Sequence, residues 1–192
     1  MLSLSKLQNG LRTALKAGDG GAESTEVASK ISDAITNYAA DAEIVCLPGP
    51  ILIPGAPPVI SSALGSKQKL VSEMPGKAAL TSAINAQFSS QDASMMTMAN
   101  GIVAYVAATL TNFSSHPQKL PPPFGDMVIG ATVMSIPPPL TSVAPAGLAG
   151  ADVDQIANAM GQIIHTSFKA SVFTGVCTAK DFGVGPVSGP LL

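Results

Sequence analysis

Apolar residues recur through the first forty positions at intervals of three and four. Leu4, Leu7, Leu11 and Leu15 fall on one face of a helix of about four turns, and Gly18-Asp19-Gly20-Gly21 ends it. A second helix starts near Ser24 or Thr25, either of which is a suitable N-cap, with Glu26 in its first turn. Val27, Ile31, Ile35, Tyr38 and Ala42 form its stripe, and the small Ala34 and Ala39 allow a partner helix to come close. The two elements predict a helical hairpin.

The pattern breaks between Ile44 and Leu64. Pro48, Pro50, Pro54, Pro57 and Pro58 alternate with Leu47, Ile51, Leu52, Ile53, Val59 and Ile60, which excludes a regular helix or a central strand. An apolar, polyproline-like arm is left. A linker in water is normally polar, so an oily one points to a covering surface.

Helical spacing then returns. Pro75 suits a first helical turn, Leu80, Ile84 and Phe88 follow on one side, and Ser89-Ser90-Gln91-Asp92 supplies a turn and a cap. From about Ala93 the next helix carries Met95, Met98, Ile102, Tyr105, Val106, Thr109, Leu110 and Phe113, its methionines suited to adaptable packing. A second Pro-rich connector runs from His116 to Phe124, and Met127 to Ile136 reads as a short strand closed by Pro137-Pro138-Pro139. Asp152 can cap a last helix reaching to about Phe168, with Val153, Ile156, Ala157, Met160, Ile163, Ile164 and Phe168 on its apolar face. An extended segment, Lys169 to Cys177, and a Gly/Pro tail from Gly183 to Leu192 complete the chain.

The fold class expected is mainly α with minor β (α+β). Amphipathic helices are joined by long apolar Pro-rich connectors, with one or two short β segments near the C-terminus. A single domain spanning 1–192 is expected, with two lobes, 1–64 and 65–192, as the variant. Ala99-Asn100-Gly101-Ile102 with Tyr105-Val106 echoes Ala157-Asn158-Ala159-Met160 with Ile163-Ile164, and Ala28-Ser29-Lys30-Ile31 is a fainter copy. Alanine-rich helices generate such matches by chance as readily as by duplication.

Composition changes the picture. Only 11% of the 192 residues are charged, against roughly 25% in an ordinary soluble domain, while 46% are hydrophobic. A monomer's surface is hard to cover with so little charge. Either a membrane or neighbouring subunits must do the covering. Ala93–Ser115 is long enough to span a bilayer, but it contains Ser94, Thr97, Asn100, Thr109, Thr111 and Asn112, which hydrocarbon penalises. Met127–Ala151 contains Pro137, Pro138, Pro139 and Pro145, too many for a spanning helix. The opening Met1-Leu2-Ser3-Leu4-Ser5-Lys6 has no basic region leading into an apolar core, so a signal peptide is not expected.

The net charge is −2, Arg12 is the single arginine, and the lysines are dispersed, which argues against direct binding of nucleic acid. Cys46 and Cys177 fit no metal spacing and read as two buried thiols rather than a disulfide. Of the two histidines, His116 precedes a proline in a connector, and His165 lies on a helix beside Ile164 and Thr166 as a hydrogen-bonded structural residue. Gly-x-Ser-x-Gly does not occur, and Gly65-Ser66-Lys67 lacks the glycines of a phosphate loop. Asp152 and Asp154 lack the other ligands of a calcium loop, and helix capping accounts for both. No catalytic residue, metal site or cofactor is expected.

Taken together, the Leu-x-x-Leu-x-x-x-Leu opening helix, Ile31-Ser32-Asp33-Ala34-Ile35-Thr36-Asn37-Tyr38-Ala39, and the closing block from Ile156 through Ser171-Val172-Phe173-Thr174 to Gly185-Pro186-Val187-Ser188-Gly189-Pro190-Leu191 form a layout. It resembles the small virion structural proteins of tailed bacteriophages. The resemblance is one of layout and carries over no functional residue. It implies a subunit present in many copies of a tail, baseplate, neck or head, assembled in the host cytoplasm, with other virion proteins and its own copies as partners. Its contacts are expected from the arm, Leu52, Ile53, Val59 and Ile60, and from the tail, Phe182, Val184, Val187 and Leu191. The alternatives are a membrane-associated or pore-forming protein using Ala93–Ser115, and a small hydrolase pairing His165 with a distant serine.

Overall fold

The computed structural model describes the backbone of residues 2–45, 47–48, 67–71, 74–90, 95–108, 110–111, 118–119, 126–134, 152–179 and 183–190, and the side chains of 2–42, 76–90, 95–106, 108 and 152–171. These residues are mostly helical. Five helices are present among them: α1 (Leu4–Asp19), α2 (Ser24–Ala39), α3 (Met74–Ser89), α4 (Met96–Ala108) and α5 (Val153–Ala170).

The helices form where spacing and capping agree. In α1, Ser3 accepts the Lys6 N–H at the N-cap, Leu7, Leu11 and Ala14 are buried, and the chain leaves through Gly20 and Gly21, the latter at φ 92. That left-handed conformation costs glycine little and any other residue more. In α5, Asp152 and Gln155 form the reciprocal capping box: the Asp152 carboxylate accepts the Gln155 N–H at 2.8 Å, and the Gln155 side chain accepts the Asp152 N–H at 3.2 Å.

Two starts differ from the sequence reading. Glu23, not Ser24 or Thr25, occupies the N-cap position of α2 and makes no side-chain cap bond. Ser24 lies inside the helix, and its hydroxyl donates to Asn85 Oδ1 of α3 at 3.3 Å. A tertiary partner has replaced the local one. Helix α4 begins at Met96 rather than about Ala93, after Met95 at φ 54, and ends at Ala108 rather than running to Phe113. Its Met98 N–H donates to Oε1 of the buried Gln87 in α3 at 3.3 Å, so an orphan helical donor is satisfied from a neighbouring helix.

The packing neighbours are α5 with α1, α1 with α2, α2 with α3, and α3 with α4. One apolar cluster runs through all five, with Leu7, Leu11, Ile31, Ile35, Leu80, Ile84, Ile102, Val106 and Ile164 fully buried. Three helix-interior glycines mark the closest crossings. A Cβ built on Gly10 would lie 2.7 Å from Ala34 Cβ, one on Gly101 2.4 Å from Ala83 Cβ, and one on Gly161 2.6 Å from Gln8 Cγ. Ion pairs reinforce the same joints: Arg12 with Asp154 at 2.7 Å, Lys6 with Asp41, and Lys77 with Asp33.

Between the helices the backbone is extended at β1 (Glu43–Val45), β2 (Leu47–Pro48), β3 (Lys67–Val71), β4 (Leu110–Thr111), β5 (Gln118–Lys119), β6 (Asp126–Met134), β7 (Val172–Ala179) and β8 (Gly183–Pro190). All pairings are antiparallel, in the order β1-β3-β4-β6-β7-β8-β2, with β5 on β6. The longest ladders place Ile129 opposite Cys177 and Cys177 opposite Gly185. Three strands follow α2 and three follow α4, and in each case the first pairs with the third, β1 with β3 and β4 with β6, while the two strands after α5, β7 and β8, pair with each other.

No helix among the described residues is long and apolar enough to cross a membrane. The Ala93–Ser115 stretch holds the 13-residue α4 and the short β4.

Candidate functional site

Helices α2 and α5 bring together the one described histidine and a fully buried tyrosine. Tyr38 comes from the last turn of α2, on the stripe that also carries Ile31 and Ile35. Its hydroxyl lies 2.6 Å from His165 Nδ1. Phe168, one turn further along α5, stands edge-on to the Tyr38 ring at 5.3 Å between centroids, and the imidazole meets the same ring edge-on at 5.9 Å.

Electrostatics fixes the roles. Burial pushes the Tyr38 phenol well above its ordinary value, so it keeps its proton and donates. His165 is held below the ordinary histidine range, first by burial and then by the positive charge of Lys169 one turn away. The imidazole is therefore neutral near pH 7, and in the tautomer with its proton on Nε2 it accepts the phenol proton at Nδ1. The partner placed on Nδ1 is a phenol, and the bond ties the end of α2 to α5.

The opposite ends of the same helices frame a cleft. The end of α1 (Leu15, Gly18, Asp19), the start of α2 (Ala22, Ser24, Val27), Phe88 of α3 and the first turn of α5 (Val153, Ile156) line an open depression of about 430 Å³. Its walls are mainly apolar. Phe88, expected on the buried face of α3, is 37% exposed at its edge. Asp154 lies beside Val153. Desolvation pushes its carboxyl up, but hydrogen bonds and charge from Lys16 and Arg12 outweigh that and hold it below the ordinary value.

Leu52, Ile53, Val59, Ile60, Phe182 and Leu191 lie outside the described residues, as do His116 and Cys46. Val184 and Val187 fall on β8, opposite Thr178 and Gly175 of β7. Among the described residues no group of three or more His, Cys, Asp or Glu side chains is placed to hold a metal ion. Sequence reasoning missed the cleft, because Ala22, Phe88 and Val153 come together only through the tertiary fold. The Gly18–Gly21 loop, which opens one wall, was its visible signal.

Comparison with protein families, curated proteins and solved structures finds no match to the chain.

Proposed function

We propose that the chain is a structural subunit of a tailed-bacteriophage virion, packed in multiple copies against itself and other virion proteins. The observation that carries this reading is where the apolar surplus lies. The described helices bury their apolar faces almost completely, leaving Phe88 and Met96 as their exposed large hydrophobic side chains. Yet 46% of the chain is hydrophobic and 11% charged. The remaining apolar residues belong to sequence outside the helices, above all Leu47–Ile60, a run in which prolines alternate with Leu, Ile and Val. Such a segment finds its cover in a partner. The resemblance of layout supports the same reading, and the fold that accompanies it is α+β, a helical body carrying minor strand structure.

The test is the mass of the purified chain in detergent-free buffer, by light scattering over a concentration series. Large discrete particles, or solubility only alongside other virion proteins, are expected. The double substitution Ile53→Asp with Ile60→Asp should abolish assembly while leaving helical circular dichroism in place. A stable monomer near the chain mass of 19.3 kDa overturns the proposal.

A further inference from the structure

The helices pack in the order α4-α3-α2-α1-α5, so α4 and α5 stand at the two ends, with α3 and α1 as their helix neighbours. The two ends differ in charge. On α5 the exposed side chains include Asp154, Gln155, Asn158, Gln162 and Lys169. Helix α4 carries no charged residue over its whole length. Its exposed side chains include Met96, Asn100, Ala104 and Ala108, which recur every fourth residue and so form one stripe along the helix. Met96 is 49% exposed, the most exposed large hydrophobic side chain among the described residues. This stripe is surface that α3 and β6, against which α4 also packs, leave open.

We infer that the stripe is a contact between two copies of the chain, α4 against α4 in the antiparallel direction, about a two-fold axis at the level of Ile102. The order of side chains suits that arrangement. Met96 then stands against Ala108 of the second copy and Asn100 against Ala104, so each contact sets a longer side chain on a methyl group. A parallel alignment would set Met96 on Met96 and alanine on alanine. Charge selects the occupant. Placing α5 of a second copy on the stripe would take Asp154 and Lys169 out of water against a surface with no charge to meet them, whereas α4 on itself buries none. A lone asparagine in an otherwise apolar helix contact fixes its register, the role left to Asn100. Because the same patch serves on both copies, the association closes at two chains. It goes beyond the multi-copy reading above and uses no residue of the arm.

The test is sedimentation velocity, in detergent-free buffer, of the full-length chain carrying Ile53→Asp and Ile60→Asp. With the arm altered, the chain should still sediment as a dimer, at twice the chain mass of 19.3 kDa. Adding either Ala104→Glu or Asn100→Lys should weaken the dimer by about tenfold or more. Helical circular dichroism should not change, because both positions are exposed. Mixing the two variants should restore the dimer, since the antiparallel alignment brings the new carboxylate of one onto the new ammonium of the other. A monomer before the α4 substitutions are made would assign the stripe to a different partner and overturn the inference. Masses untouched by Ala104→Glu, or variants that stay apart when mixed, would overturn it as well. A plain dimer from the chain with its arm intact would count against the arm and for α4.

Discussion

Burial of His165, with Lys169 one turn away, makes stability depend on pH in a definite direction. The imidazole is held below its ordinary pKa in the folded chain, so below about pH 6.5 the unfolded chain binds the extra proton more readily. Stability from this group is complete above the ordinary histidine value and is lost as pH falls through it towards the depressed folded value. Urea midpoints measured at about pH 7.5 and 5.5 should therefore differ, and His165→Gln should flatten the part of the difference that this residue causes. Tyr38→Phe keeps the ring packing on Phe168 but removes the donor, at a cost of about 1 kcal/mol. Ser32 gives the opposite case. Its hydroxyl is buried and has no hydrogen-bond partner among the described residues, so Ser32→Ala should raise stability by about 1 kcal/mol, read as a higher urea midpoint. The sequence placed His165 beside Ile164 and Thr166 as a hydrogen-bonded histidine, which fits the geometry. It could not name the partner, because Tyr38 lies 127 positions away.

At the level of elements, the glycines inside helices decide how near two axes come. At Gly101 the obstacle to a methyl group is Ala83 Cβ at 2.4 Å, an atom fixed to the backbone of α3, whereas at Gly161 it is Cγ of the flexible Gln8. Alanine has better helix propensity at both positions by about 1 kcal/mol. Gly101→Ala should nonetheless destabilise by about 1–3 kcal/mol, because α3 and α4 must separate. Gly161→Ala should be near neutral once Gln8 changes rotamer and releases its 3.3 Å bond to the Asn158 carbonyl. Paired thermal melts of the two variants test the contrast, and equal losses would contradict it. Gln87→Leu should cost about 1–3 kcal/mol by leaving the buried Met98 N–H without its acceptor. Helices α1, α2 and α5 were readable within a residue or two because their apolar residues repeat at three and four. The N-cap of α2 was misread because capping propensity is local, while the Ser24 hydroxyl is held by Asn85. The end of α4 was misread because Thr109, Leu110 and Phe113 continue the helical spacing, and pairing of Leu110 with Val71 of β3 and Thr132 of β6 shows where extended backbone begins. The close crossings had a signal in the sequence: an isolated glycine within a helical pattern.

For the whole molecule, the mainly helical class was legible from hydrophobic spacing and the order of helix neighbours was not. Nothing in the sequence of α5 says that it returns to α1. The joint is made by shape at Gly161 and by charge between Arg12 and Asp154, which are 142 positions apart. The apolar surplus was legible as composition, and its assignment to partners remains the proposal tested by light scattering and the Ile53/Ile60 pair. The strand order likewise lay beyond periodicity, since β3 pairs with β4 across the entire α3–α4 hairpin.

The return of α5 to α1 also bears on how the chain is made. A ribosome releases the leucine face of α1 well before the helix that helps to cover it. At roughly 5–20 residues per second, a separation of 142 positions leaves that face without its final neighbour for about 7–30 s of synthesis. The hairpin with α2 shelters part of it during the wait. The rest is open to whatever binds nascent apolar helices, and a chain stopped before Val153 would leave the gap permanently unfilled.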